Sequence, residues 1–349
     1  MITEVVKLDP VNPDIRKIQR AGEIIKKGGL VAFPTETVYG LGGDALNPDS
    51  SAKIYAAKGR PSDNPLIVHI GCLEDLNKIV KKVPGKAQKL AEAFWPGPLT
   101  MVLEKSDIVP ITTTGGLSTV AVRMPDHPAA LELIRASGGY IAAPSANVSG
   151  KPSPTLAKYV AEDLDGKIEM ILDGGPVGIG LESTIVDLSE NDPVILRPGF
   201  ITCEMLEEIA GPVETDRTIL SADAGGVPRA PGMKYRHYAP QGDLTIVEGP
   251  GGEVTAFINE QTKRLEKAGE KVGIIGTDGS IHKYPAGIVK SAGSREREES
   301  IAKELYRILR EFDDEQVTVI FSEAFEDKGI GQAIMNRLLK AAGHKIIKL

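Results

Sequence analysis

The strongest constraint on this 349-residue chain is an alternation: short apolar runs of strand length recur between stretches with helical spacing, and one long Pro/Gly-rich break interrupts them. Residues 15–27 carry the helical pattern, and Gly28 and Gly29 stop it before the apolar run at 30–33. Residues 50–57 predict a second helix capped by Ser50 or Asp49, and 66–70 a buried strand. Helices are expected at 73–80 and 85–94, with strands at 99–103, 119–124, 141–143, 170–172, 183–188 and 194–196. So many short strands among helices predict an α/β fold, a sheet with helices on its faces.

The break lies at residues 211–242, where Pro212, Pro228, Pro231 and Pro240 stand among Gly225, Gly226, Gly232 and Gly242. Its centre is not the Gly/Ser composition of a plain tether, because Lys234, Tyr235, Arg236, His237 and Tyr238 crowd cations and aromatics together. That favours a lid or binding loop. Beyond it, strand candidates at 244–247, 272–275, 317–321 and 345–349 alternate with helix candidates at 254–267, 296–312 and 331–342, which predicts a small Rossmann-like parallel sheet. Gly273, Gly276 and Gly279 follow one of these strands, but the spacing is not GxGxxG and no dinucleotide site is expected. Three segments result: 1–210, a linker at 211–242, and 243–349.

Composition removes several classes. A net charge of −7 opposes a dedicated nucleic-acid coat, and neither half is basic, with 21 basic and 27 acidic residues through Ala210 and 20 and 21 after it. Cys72 and Cys203 make no disulfide framework, and the five histidines lack zinc-site spacing, so no metal site built from side chains is expected. No apolar run approaches the ~20 residues of a membrane span, and no signal-like start is present, so a cytoplasmic protein is expected.

Polar clusters concentrate in the first half. PTETVYGLG at 34–42 follows an apolar strand, where ligands of open α/β sheets bind; a turn capped by threonines would read the same way. AKGRPSDNPLIVH at 57–69 places Lys58 and Arg60 where they could converge on a polyanion, against the common alternative of cations closing a helix. His69, taken alone, reads as a core histidine. At 141–155 a strand runs into hydroxyls, an amide and three prolines, a preorganised donor set suited to an anion. Ser145 has neither a GxSxG setting nor a neighbouring His/Asp partner, and no Walker or kinase signature occurs.

These motifs, with WPGPLT at 95–100, VAVRMPDHP at 120–128, ESTIVD at 182–187, RPG at 197–199 and PGMKYRHYAP at 231–240, resemble the YrdC/SUA family in its long two-domain form, the L-threonylcarbamoyl-AMP synthases. The resemblance covers about two thirds of the chain; the last domain matches only in position and α/β character. It implies an amino-terminal YrdC-like twisted open sheet with helices, followed by the smaller Rossmann-like domain. It also implies a reaction in which L-threonine, bicarbonate and ATP give threonylcarbamoyl-adenylate and pyrophosphate, with Mg²⁺ accompanying ATP, and a downstream threonylcarbamoyl transferase complex acting on tRNA.

Position by position, the resemblance assigns Lys58, Arg60, Ser145 and Asn147, the KxR and SxN set, to the ATP phosphates and the transferring centre. Thr37, His69, Arg123 and Ser183 would hold threonine, with the Ala143 backbone as the site floor. Asn64, Thr119, Ser153 and Arg197 would contact the nucleotide, and Tyr235 and His237 would close over the ligands. Ala230 stands where the family pattern would have Ser. The alternative is a non-catalytic RNA-binding or ribosome-associated member of the same fold; the net charge and the intact KxR and SxN set favour the enzyme, without stable direct binding of nucleic acid. A carbamoyl-transfer domain of the hydrogenase-maturation type is weaker still, since no zinc-finger or acylphosphatase part accompanies it.

Overall fold

A computed structural model describes residues 2–190, 192–216, 219, 230–231 and 237–349. The chain divides into two compact units, one of residues 1–149 and 153–234, the other of 150–152 and 235–349. Most of the expected lid, including Tyr235, lies outside the described residues.

The first unit runs β1 (Glu4–Lys7), α1 (Ile15–Lys26), β2 (Val31–Phe33), β3 (Gly40–Asp44), α2 (Pro48–Lys58) and β4 (Ile67–Ile70). It continues through α3 (Leu76–Ile79), α4 (Gly85–Phe94), β5 (Leu99–Glu104), β6 (Thr119–Arg123), α5 (Pro128–Ala136) and β7 (Tyr140–Ala142). It ends with α6 (Ala157–Leu164), β8 (Met170–Asp173), β9 (Thr184–Asp187), β10 (Val194–Arg197), α7 (Cys203–Ala210) and β11 (Glu214–Thr215). The strands form one mixed sheet in the order β1-β8-β2-β3-β7-β4-β6-β5-β9-β10-β11. Strands β2, β4 and β7 are buried at every residue, as expected of strands covered on both faces, which explains why they are apolar apart from His69. Helix α1 keeps its apolar stripe inward through Ile18, Ala21, Gly22 and Ile25.

Two local readings are corrected. The cap of α2 is neither Ser50 nor Asp49 but Asn47, whose Oδ1 accepts from the Asp49 amide at 3.0 Å; Pro48 occupies the first helical turn, where its missing N–H costs nothing, so the helix starts earlier. The glycine-rich GLGGD segment, unassigned in the sequence, is strand β3. Its glycines are a packing requirement, since a Cβ on Gly42 would lie 2.8 Å from Ile141 Cγ2 and 2.9 Å from the Phe33 ring.

The second unit carries β12 (Asp243–Glu248), α8 (Gly251–Lys267), β13 (Val272–Gly276), β14 (Ile288–Ser291), α9 (Glu298–Asp314), β15 (Val319–Glu323), α10 (Gly329–Ala341) and β16 (Ile346–Lys348). Its five strands are all parallel, in the order β14-β13-β15-β12-β16. The short β14 has no counterpart in the sequence expectation. Among the described residues no helix is long and apolar enough to cross a membrane.

Candidate active site

The carboxyl end of α2 sets the first part of the site. Gly59 takes a left-handed conformation (φ 61°), which ends the helix and lets the chain double back after Lys58. Lys58 is 2% exposed, and its Nζ donates to the Ser145 carbonyl at 2.5 Å, to the Asn147 carbonyl, and to Asn147 Oδ1 at 3.4 Å. Ser145 Oγ donates to the same Asn147 Oδ1 at 2.6 Å. An ammonium among oriented carbonyl dipoles is a fixed positive centre, and it draws the 145–147 loop around itself. Arg60 is turned towards its own loop: Nε donates to the Asn64 carbonyl at 3.1 Å, and one terminal nitrogen to Asn64 Oδ1 at 2.6 Å and the Pro65 carbonyl at 3.0 Å. Lys58, Ser145 and Asn147 therefore form one cluster, and Arg60 with Asn64 a second.

A third grouping surrounds Arg123 at the end of β6. Arg123 donates from NH1 to Thr37 Oγ1 at 2.9 Å and from Nε to the Gly97 carbonyl at 3.2 Å. Its NH2 stands 2.6 Å from Glu36 Oε1, with both side chains nearly buried. That contact makes Arg123 the ion-pair partner of a carboxylate held almost wholly inside the protein. His69 on β4 pairs in register with Arg123. Burial, reinforced by the Arg123 charge, pushes the His69 pKa down to about 3. With Nδ1 3.2 Å from the Ile67 carbonyl, the neutral ring donates there and keeps Nε2 as an acceptor.

Ser183 and Arg197 form the fourth grouping. Arg197 donates to the Ser183 carbonyl from Nε at 3.1 Å and from NH2 at 2.9 Å, and to Ser183 Oγ at 3.2 Å; Thr100 Oγ1 lies 2.7 Å from that same hydroxyl. Ser153 Oγ donates to Glu182 Oε1 at 2.5 Å. Ala143 hydrogen-bonds from its amide to the Ile67 carbonyl at 2.9 Å, which ties the end of β7 to β4 beneath the loop. Thr119 opens β6, on the same face as Arg123 but about 13 Å along the strand. His237 is buried in the second unit beside Tyr238, with ring centroids 5.5 Å apart.

Three participants carry no role in the sequence reading: Glu36, Thr100 and Glu182. Each lies inside a quoted motif, but nothing in a linear pattern says that Glu36 meets Arg123, 87 positions away. The His69 geometry predicts a measurable pH effect. Below the ordinary histidine pKa of about 6.5 the unfolded chain binds a proton that folded His69 refuses, so stability falls as pH falls, by about 2 kcal/mol at pH 5 from this residue. Chemical denaturation of the wild type and of His69→Gln at pH 7.5 and pH 5 checks it; an identical pH difference in both proteins would refute the buried neutral state.

With this geometry in place, comparisons with known proteins become informative. Residues 23–199 match the family described as telomere recombination, and residues 201–343 the threonylcarbamoyl-AMP synthase C-terminal domain. The chain is 49% identical over 341 residues to the threonylcarbamoyl-AMP synthase of Bacillus subtilis, covering 97% of each chain. To the enzyme of the same name from Pyrococcus abyssi it is 51% identical, covering 95% of this chain and 96% of that one. The crystal structure of P. abyssi Sua5 complexed with L-threonine superposes with a TM-score of 0.94 at 48% identity, covering 99% of this chain and 100% of that one. With both halves matched in sequence and the whole chain matched in fold, this protein belongs to the threonylcarbamoyl-AMP synthase family, in its two-domain form.

Proposed function

We propose that this chain condenses L-threonine, bicarbonate and ATP into L-threonylcarbamoyl-AMP, releasing pyrophosphate and water. The threonine amine and bicarbonate form a carbamate and water. A carbamate oxygen then bonds to the α-phosphorus as the α–β phosphoanhydride bond breaks. The reaction brings two anions together, and what it asks of the protein is fixed positive charge and oriented donors. The observation that carries the reading is the set of buried cations, Lys58, Arg60, Arg123 and Arg197, each held by oriented backbone or side-chain oxygens.

In this reading Arg123 takes the threonine carboxylate, while Thr37, neutral His69, the Ala143 backbone and Ser183 surround the amine and hydroxyl. Lys58 and Arg60, with Ser145 and Asn147, take the phosphates and the transferring centre, and Asn64, Thr119, Ser153 and Arg197 the rest of the nucleotide; Tyr235 and His237 complete the ATP set. Holding the reactants in line supplies up to ~7–11 kcal/mol of such a barrier. Mg²⁺ would neutralise the departing pyrophosphate. The product, a labile mixed anhydride, would pass to a threonylcarbamoyl transferase complex acting on tRNA, in the cytoplasm.

Pyrophosphate release measured with each substrate omitted in turn tests the proposal. Release is expected only when threonine, bicarbonate and ATP are all present; release that persists without threonine would sink it.

A further inference from the structure

The second unit contains a cleft that the proposed reaction does not use. Its five strands are parallel, so their carboxyl ends share one edge of the sheet. Helix α8, which follows β12, packs Val254 and Ile258 against Val247, Val272, Ile274 and Phe321 on one face. Helix α9 covers the other face, where its Phe312 lies so close to Gly273 that a Cβ there would stand 2.9 Å from the ring, and α10, which follows β15, packs against α9. Strands β12 and β15 are neighbours, yet their following helices leave to opposite faces. That is a topological switch point, where the departing chains open a crevice at the carboxyl edge.

A cavity of about 500 Å³ occupies this position, within the range of small-molecule sites. Its walls are the segments that immediately follow three adjacent strands: Glu248 to Gly251 after β12, Thr277 to Ser280 after β13, and Glu323 to Glu326 after β15. The lining chemistry is divided. The residue that precedes α8 is Pro250, which supplies no capping side chain, and a Cβ on Gly251 would meet nothing within 4 Å, so an oxyanion can approach the first amides closely. Lys283 and Arg295 add positive charge, and Thr277 and Ser280 line the cavity with them. Carboxylates line the same cavity. Glu323 is buried and held by Tyr284 Oη at 2.8 Å and Arg295 at 2.8 Å, and Glu248 is met by Lys348 at 3.0 Å. Glu326 completes the acidic rim. The Arg295 guanidinium lies 5.2 Å from the centre of the Phe325 ring, which gives the cleft a flat cation–aromatic wall.

We propose that this cleft binds a phosphate-bearing nucleoside of mononucleotide size. The phosphate sits at the start of α8 with Lys283 beside it, the sugar hydroxyls donate to the rim carboxylates, and the base lies along the Arg295–Phe325 wall. A bare phosphate would leave most of the cavity empty. The site lies wholly within the second unit, so it stands or falls independently of the threonine and ATP assignments.

Hydrogen–deuterium exchange of the full chain, read peptide by peptide with AMP as the probe, tests it. AMP in tenfold excess over its Kd is expected to slow exchange roughly tenfold in peptides covering residues 248–255 and 277–283. Gly251→Asp places a carboxylate into the open position at a helix start, where an acid is tolerated by the fold but repels phosphate. This variant is expected to lose that protection while pyrophosphate release stays at the wild-type rate. Protection by AMP confined to the first unit, or unchanged in Gly251→Asp, would overturn the site. Protection by inorganic phosphate equal to that by AMP would overturn the nucleoside assignment.

Discussion

Lys58→Met is expected to lower pyrophosphate release by roughly 100- to 1,000-fold while the protein remains folded, the scale seen when one preorganised donor is removed from a developing charge. The ammonium is buried and held by carbonyl oxygens of Ser145 and Asn147, so its charge is placed before any ligand arrives. Methionine keeps the length of the stem and removes the cation. It also leaves the oxygens without their donor, which costs about 1–3 kcal/mol of stability. Circular dichroism and a thermal scan separate that cost from the chemical one, because turnover can be measured well below the midpoint. Threonine binding, followed separately, is expected to change only a fewfold. Full turnover in a folded Lys58→Met protein would remove Lys58 from the phosphate set.

Arg123→Leu is expected to produce two effects of different origin. Loss of a charge-assisted contact to the threonine carboxylate raises the threonine Kd roughly 10- to 100-fold. Loss of the partner of Glu36, 2.6 Å away in a nearly buried pair, strands a carboxylate and costs about 3–5 kcal/mol of folding stability. The double variant Arg123→Leu, Glu36→Gln separates them: the neutral amide is expected to recover most of the stability and none of the threonine affinity. Calorimetric titration with threonine and denaturant unfolding of the three proteins make the comparison. If the double variant bound threonine like the wild type, Arg123 would be a structural residue only.

The contrast between these residues explains what could be read in the linear order. Lys58, Arg60, Ser145 and Asn147 lie in two short runs whose glycine, prolines and amide are unusual enough to stand out, and the structure joins both runs through Lys58. Glu36 stands in an equally conspicuous run, yet its meaning depends on Arg123, which arrives from β6 through strand pairing that no local pattern encodes. His69 is sharper still. A histidine in an apolar strand reads as core, and the fold buries it in register with Arg123, where the burial that drives its pKa down also keeps it neutral beside a guanidinium. The β3 segment is not legible as a strand for the opposite reason: its glycines carry no strand propensity, and at Gly42 Phe33 and Ile141 leave no room for a Cβ.

The sequence by itself determined the α/β alternation, the break before the second unit, the helix stops at Gly28 and Gly59, and the residue types available for anion chemistry, because these depend on neighbours a few positions apart. Tertiary structure alone decided the sheet order, the Glu36–Arg123 pair, the clasp of Lys58 on the 145–147 loop, and the cleft where the helices after β12 and β15 leave to opposite faces. The physical reason is range. Turn, cap and periodicity preferences act over a few residues, whereas a site forms where strands distant in sequence end side by side, and the burial created there sets which charges are held, which are lost and which must wait for a ligand.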